Sequence, residues 1–175
     1  DNLTTGKEER DAALKVLDSG YLSLFEGAPA PDPPFDFCGG PWVRKLEERA
    51  AEQLGGARVV SVNSATSGLC AAVGALGLGY GDEVIVSPYT MTACAVAPLV
   101  YGAIPVFADV ELETGCLSAA SIARVITRRT RAVLVVHQFG IPADMDAIMA
   151  LAREHGLKLI EDCAQAWGAS YKGRP

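Results

Sequence analysis

Residues 131–162, RAVLVVHQFGIPADMDAIMALAREHGLKLIED, decide the fold. The apolar run 132–136 is too continuous for a half-exposed strand, so it predicts a strand covered on both faces. ADMDAIMALAREHG (143–156) predicts a helix, and LKLIE (157–161) predicts a second strand. The same alternation repeats toward the N-terminus. ARVVSV (57–62), EVIVS (83–87) and AIPVF (103–107) read as strands. NSATSGLCAAVGALGLG (63–79), TMTACAVAPLVYG (90–102) and SAASIARVIT (118–127) read as helices. Buried strands separated by helices imply an α/β fold of three layers, a largely parallel sheet with helices on both faces.

The N-terminal third reads differently. A helix is expected from about residue 7 to 18, stopped by Ser19-Gly20. EGAPAPDPPFDFCGG (26–40) holds four prolines between Pro29 and Pro34 and predicts an irregular arm, not a central strand. Pro41 opens a further helix (41–56), which sets Val43, Leu46, Ala50 and Leu54 on one face. The expected organisation is a helical arm with a proline-rich loop over 1–56, followed by an α/β domain over 57–175.

Composition narrows the function. The chain has 175 residues, half of them apolar, which is enough for one sizeable core. Net charge is −6, and the only basic run, TRRTR (127–131), reads as a solvated turn before a strand. Nucleic-acid binding therefore has no electrostatic footprint. The five cysteines form no C-x-x-C pair, and they are expected to be reduced, mostly buried and cytoplasmic. No apolar run is long enough to span a membrane. His137 at a strand end reads as a hydrogen-bonded structural residue. With only His155 elsewhere, no metal cluster and no nucleophilic triad are expected.

A parallel sheet offers ligands the carboxyl ends of its strands. SVNSATSG (61–68) runs from a strand into a helix with small, hydroxyl-rich residues in its first turn. Amides free at a helix start bind anions, and Ser64 and Ala65 are small enough to let a phosphate approach. The alternative is that Ser64 or Asn63 merely caps the helix. IEDCAQA (160–166) has the same ambiguity. Asp162 and Gln165 fit a capping box, or they fit a carboxylate paired with a cationic ring nitrogen and an amide on a ring oxygen. GALGLGYGD (74–82) is a helix stop, not a dinucleotide fingerprint.

Five stretches, VNSATSGL, GDEVIVSPYTMTA, GAIPVFADVELETGCLS, ITRRTRAVLVVHQFGIPADMDAI and IEDCAQAWGASYKGRP, resemble in order and spacing the DegT/StrS-type sugar aminotransferases. These are fold-type-I enzymes dependent on pyridoxal 5'-phosphate (PLP), and the resemblance covers about residues 10–175. It implies that Ala65 and Thr66, with Ser64 beside them, bind the PLP phosphate. Asp162 pairs with the pyridine nitrogen and Gln165 contacts the phenolic oxygen. The family usually has an aromatic residue where this chain has Met91, which would cover one ring face, with Tyr89 able to share the role. The family's Schiff-base lysine is expected beyond Pro175. Lys172 belongs to the YKG motif and not to that position, so this chain by itself carries no catalytic residue and is expected to be inactive.

The resemblance implies the N-terminal part of a longer enzyme that moves an amino group from glutamate or glutamine to a keto-sugar (nucleotide sugar) or keto-cyclitol, acting as a homodimer. A dehydratase of the same family, with histidine at the lysine position, and a non-catalytic PLP-binding module are the alternatives. Taken alone, residues 1–175 are expected to be unstable or to aggregate.

Overall fold

A computed structural model describes residues 4–22, 39–55 and 58–174. Most of the proline arm, with Cys38, lies outside the described residues. The chain divides between Ser61 and Val62 into two compact units.

The first unit carries α1 (Lys7–Ser19) and α2 (Pro41–Gln53). Glu9 reaches back to the N–H of Gly6 at 2.6 Å, which satisfies one of the amides that a helix start leaves unpaired. Pro41 stands at the start of α2, where its missing N–H costs nothing. Of the expected apolar stripe, Ala50 is buried, while Leu46 and Leu54 stay exposed. The strand expected over 57–62 is absent from residues 58–62. A strand needs a neighbour for its backbone groups, and here the N–H and hydroxyl of Ser61 go to the Glu47 carboxylate at 2.7 and 2.9 Å.

The second unit holds α3 (Ala65–Ala75), β1 (Glu83–Val86), α4 (Ala93–Val100), β2 (Ile104–Phe107), α5 (Ala119–Val125), β3 (Thr130–Val136), α6 (Met145–His155) and β4 (Lys158–Asp162). The four strands form one parallel sheet in the order β2-β1-β3-β4. Alternation along the central strands builds two cores. Val84, Val86, Leu134 and Val136 pack with Leu69, Val73 and Ala97 of α3 and α4. Ile85, Val133 and Val135 pack with Ile122, Met145 and Ile148 of α5 and α6. Helices therefore cover both faces, as the continuous apolar strands require. β2 lies at the edge of the sheet among the described strands, a position that tolerates Pro105.

The TRRTR run does more than make a solvated turn. Glu83 is buried at the amino end of β1 and accepts from the Thr127 and Thr130 hydroxyls, while Arg129 pairs with it at 2.7 Å. Thr127 first, and Arg129 after it, hold the Glu83 carboxyl below its ordinary pKa. Arg131 pairs with Asp82 at 3.2 Å. Two of the five residues of the run, Thr130 and Arg131, already belong to β3.

Candidate functional site

The carboxyl ends of β1, β3 and β4 and the start of α3 enclose a cavity of about 170 Å³. Ala65, Thr66, Met91, Asp162 and Gln165 all line it, and Leu69, Ala93 and Val136 supply apolar wall. Ser64 stands just outside and caps α3: its hydroxyl accepts the Ser67 N–H at 3.2 Å. The cap and the anion site are thus compatible. Ser64 occupies the amide of Ser67, and the amides of Ala65 and Thr66 head the first turn.

The capping-box reading of Asp162 and Gln165 fails, because turns and not a helix follow β4. Asp162 Oδ1 accepts the Ala164 N–H at 2.9 Å, a local turn bond. Gln165 Oε1 accepts the Phe139 N–H at 2.9 Å. That bond leaves the Gln165 amide nitrogen as the donating end. Phe139 has φ 51°, a left-handed conformation uncommon for a side chain of this size, in the short turn Gln138–Gly140. Its ring is exposed and meets the Tyr89 ring edge-on, with centroids 6.4 Å apart. Tyr89 is therefore engaged with Phe139 and is not among the residues lining the cavity, whereas Met91 is. Met91 is exposed and is not core filling, unlike Met145.

His137 is buried and structural. Its Nδ1 accepts the Ala143 N–H at 3.1 Å and its Nε2 faces Glu161 at 3.0 Å. Cys163, and then Glu161, favour a charged ring and pull its pKa upward, against its burial. The Ala143 N–H aimed at Nδ1 opposes this, because an imidazolium has no acceptor nitrogen. The geometry favours the neutral ring with its proton on Nε2. Beside it, buried Gln138 donates from Nε2 to the Tyr89 carbonyl and ties the end of β3 to the loop after β1.

Cys70, Cys94, Cys116 and Cys163 are free thiols. Cys94 and Cys116 are buried, whereas Cys163 is exposed beside Asp162. Among the described residues no cluster could hold a metal ion, and no helix is long and apolar enough to cross a membrane. Sequence reading missed Cys94, whose Sγ lies 3.3 Å from Asp162 Oδ2. No local pattern could have found it, because the two are 68 residues apart.

The family model described as the DegT/DnrJ/EryC1/StrS aminotransferase family matches residues 36–175. The chain belongs to this family. Among family relatives, the UDP-N-acetyl-3-dehydro-alpha-D-glucosamine 3-aminotransferase of Acidithiobacillus ferrooxidans is 49% identical over 131 residues, 75% of this chain and 36% of that protein. The L-glutamine:scyllo-inosose aminotransferase of Streptomyces griseus is 46% identical over 134 residues, 77% of this chain and 32% of that protein. The crystal structure of NtdA from Bacillus subtilis with bound cofactor PMP superposes with a TM-score of 0.80 at 29% identity, over 94% of this chain and 34% of that one. The fold is that of fold-type-I PLP aminotransferases, and the chain spans about a third of the length of the curated relatives it matches.

Proposed function

We propose that this DegT/StrS-family chain is the cofactor-holding part of a PLP-dependent aminotransferase that moves an amino group from glutamate or glutamine to a keto-sugar or keto-cyclitol. One observation carries the reading. A single cavity has the start of α3 on one side, and on the other an acid and an amide whose carbonyl is already engaged. That donor set fits a flat ligand with a phosphate, a cationic ring nitrogen and a ring oxygen. The substrate classes come from the relatives, one of which takes a keto-inosose and another a 3-dehydro UDP-sugar by name.

When bound, PLP supplies an electron sink for the carbon that gains or loses the amino group. The residues of this chain have complementary tasks. The Ala65 and Thr66 amides and the Thr66 hydroxyl, with Ser64 beside them, bind the phosphate at the positive end of the α3 dipole. Asp162 holds the ring nitrogen's proton by charge. Gln165 donates from its amide nitrogen to the ring oxygen. Met91 covers one ring face with a polarizable thioether. No lysine is among the residues lining the cavity, and Lys172 is instead paired with Asp146. On this reading Lys172 is not the lysine that shuttles the proton. The reading extends to a homodimer in the cytoplasm, where free thiols stay reduced.

The test is a PLP titration of the intact protein followed in the visible band, with Asp162→Ala beside wild type. The expected result is a saturable PLP spectrum. The variant should stay folded and lose about a hundredfold in turnover, the usual scale for losing a placed electrostatic partner. Wild-type turnover in Asp162→Ala would remove the ring-nitrogen role.

A further inference from the structure

Asp162 is held from both sides. While Oδ1 takes the Ala164 N–H at 2.9 Å, Oδ2 faces Cys94 Sγ at 3.3 Å, from the first turn of α4. Cys94 is fully buried, and burial pushes its thiol up to about 11, so the sulfur keeps its proton at neutral pH. The Thr90 hydroxyl lies 3.7 Å from the same sulfur. The proton count settles the directions. An ionised carboxylate has nothing to donate and a thiol has one proton, so S–H points to Oδ2 and the Thr90 hydroxyl donates to sulfur. Thr90 and Asp162 both line the cavity, with Cys94 behind its wall.

We infer that Cys94 is a positioning residue for this site: its S–H, oriented by Thr90, fixes the plane of the Asp162 carboxylate toward the cavity. The geometry stands by itself, whereas its consequence for PLP rests on the proposed function. A residue that only filled space beside Ala97 and Val136 would need no proton. Serine keeps the donor and alanine removes it, so the two variants separate the roles.

Two readouts on the intact protein test the inference. The first needs no cofactor. The infrared difference spectrum of wild type minus Cys94→Ser isolates the Cys94 S–H stretch. That band should lie at the low-wavenumber, hydrogen-bonded end of the thiol range, and it should move upward in Asp162→Asn, where the acceptor is neutral. A band unmoved by Asp162→Asn would overturn the inference. The second is PLP affinity. Cys94→Ala should weaken it about tenfold, as expected for losing a hydrogen bond to a charged group, and Cys94→Ser should restore it. Equal losses in the two variants, with circular dichroism unchanged, would assign Cys94 to packing and overturn the role. If wild type binds no PLP, the cofactor reading falls, and the S–H band still decides whether Cys94 holds Asp162.

Discussion

Asp162, Gln165 and Phe139 form a unit that is easy to misread one residue at a time. Asp and Gln three apart after an apolar run suggest a helix cap, yet both side chains reach beyond a cap's range: Asp162 to α4 and Gln165 to the turn after β3. The turn itself is demanding. Phe139 is left-handed at φ 51°, and Gly140 follows at φ 85°. A side chain at Gly140 would find room, with the nearest atom, Gln165 O, at 3.5 Å. The backbone alone should therefore make Gly140→Ala cost about 1–2 kcal/mol. Urea denaturation of the variant measures that cost. Because the turn presents the Phe139 N–H to Gln165, PLP affinity should fall with it, and full affinity in Gly140→Ala would separate the turn from the site.

At the scale of elements, the two ends of the sheet have different tasks. The carboxyl ends of β1, β3 and β4 open onto the cavity, while the amino ends of β1 and β3 are locked by Glu83, Thr127, Thr130 and Arg129. The Glu83 carboxyl is depressed on folding, chiefly by the Thr127 hydroxyl. Its contribution is present above the unfolded carboxyl value and fades as pH falls through the folded one. Glu83→Gln should therefore cost about 1.5–3 kcal/mol at neutral pH, the scale of hydrogen bonds to a buried charge. The gap to wild type should close below about pH 4. Denaturation midpoints across pH follow this directly, and a pH-independent gap would mean that charge is not the cause.

The α3–α4 pair sets a second element-scale constraint. A methyl at Gly74 would run into the Tyr101 hydroxyl and stand 2.7 Å from the ring carbon bearing it. Such a contact cannot exist unless the ring moves. Gly74→Ala should therefore recover less than alanine's advantage of about 1 kcal/mol in a helix, because the Tyr101 ring must swing aside. In a Tyr101→Ala background the same change should stabilise by up to about that amount. A double-mutant cycle reads the coupling, and additivity would show that the ring does not set the spacing.

At the scale of the molecule, both sheet edges, β2 and β4, are unpaired among the described strands. Pro105 blunts β2, yet Ile104 and Phe107 on it are 41% and 54% exposed. Residues 1–175 expressed alone should self-associate, as sedimentation velocity would show. A cooperative melt of a monomer would contradict this. In the PLP-loaded intact protein, borohydride reduction followed by peptide mass spectrometry should leave Lys172 unmodified. A label on Lys172 would place the imine former in this chain.

The layered fold follows from local sequence pattern. Alternation of buried strands and helices is a local pattern, and each of β1, β2, β3, β4 and α3, α4, α5, α6 announces itself within a dozen or so residues. It also places Met91, Asp162 and Gln165 at or past the carboxyl ends of β1 and β4, since a parallel sheet sends those ends to one side. Residues 57–62 misled because an apolar run becomes a strand only when a neighbour takes its hydrogen bonds, and Glu47 takes those of Ser61 instead. Long-range contacts alone make Asp162 and Gln165 cap no helix, turn Tyr89 to Phe139 while Met91 lines the cavity, and set Cys94 behind the acid. The physical reason is range. Propensity and periodicity act over a few residues, whereas the bonds that orient the Asp162 and Gln165 side chains join residues 68 and 26 apart, which meet only when the sheet forms.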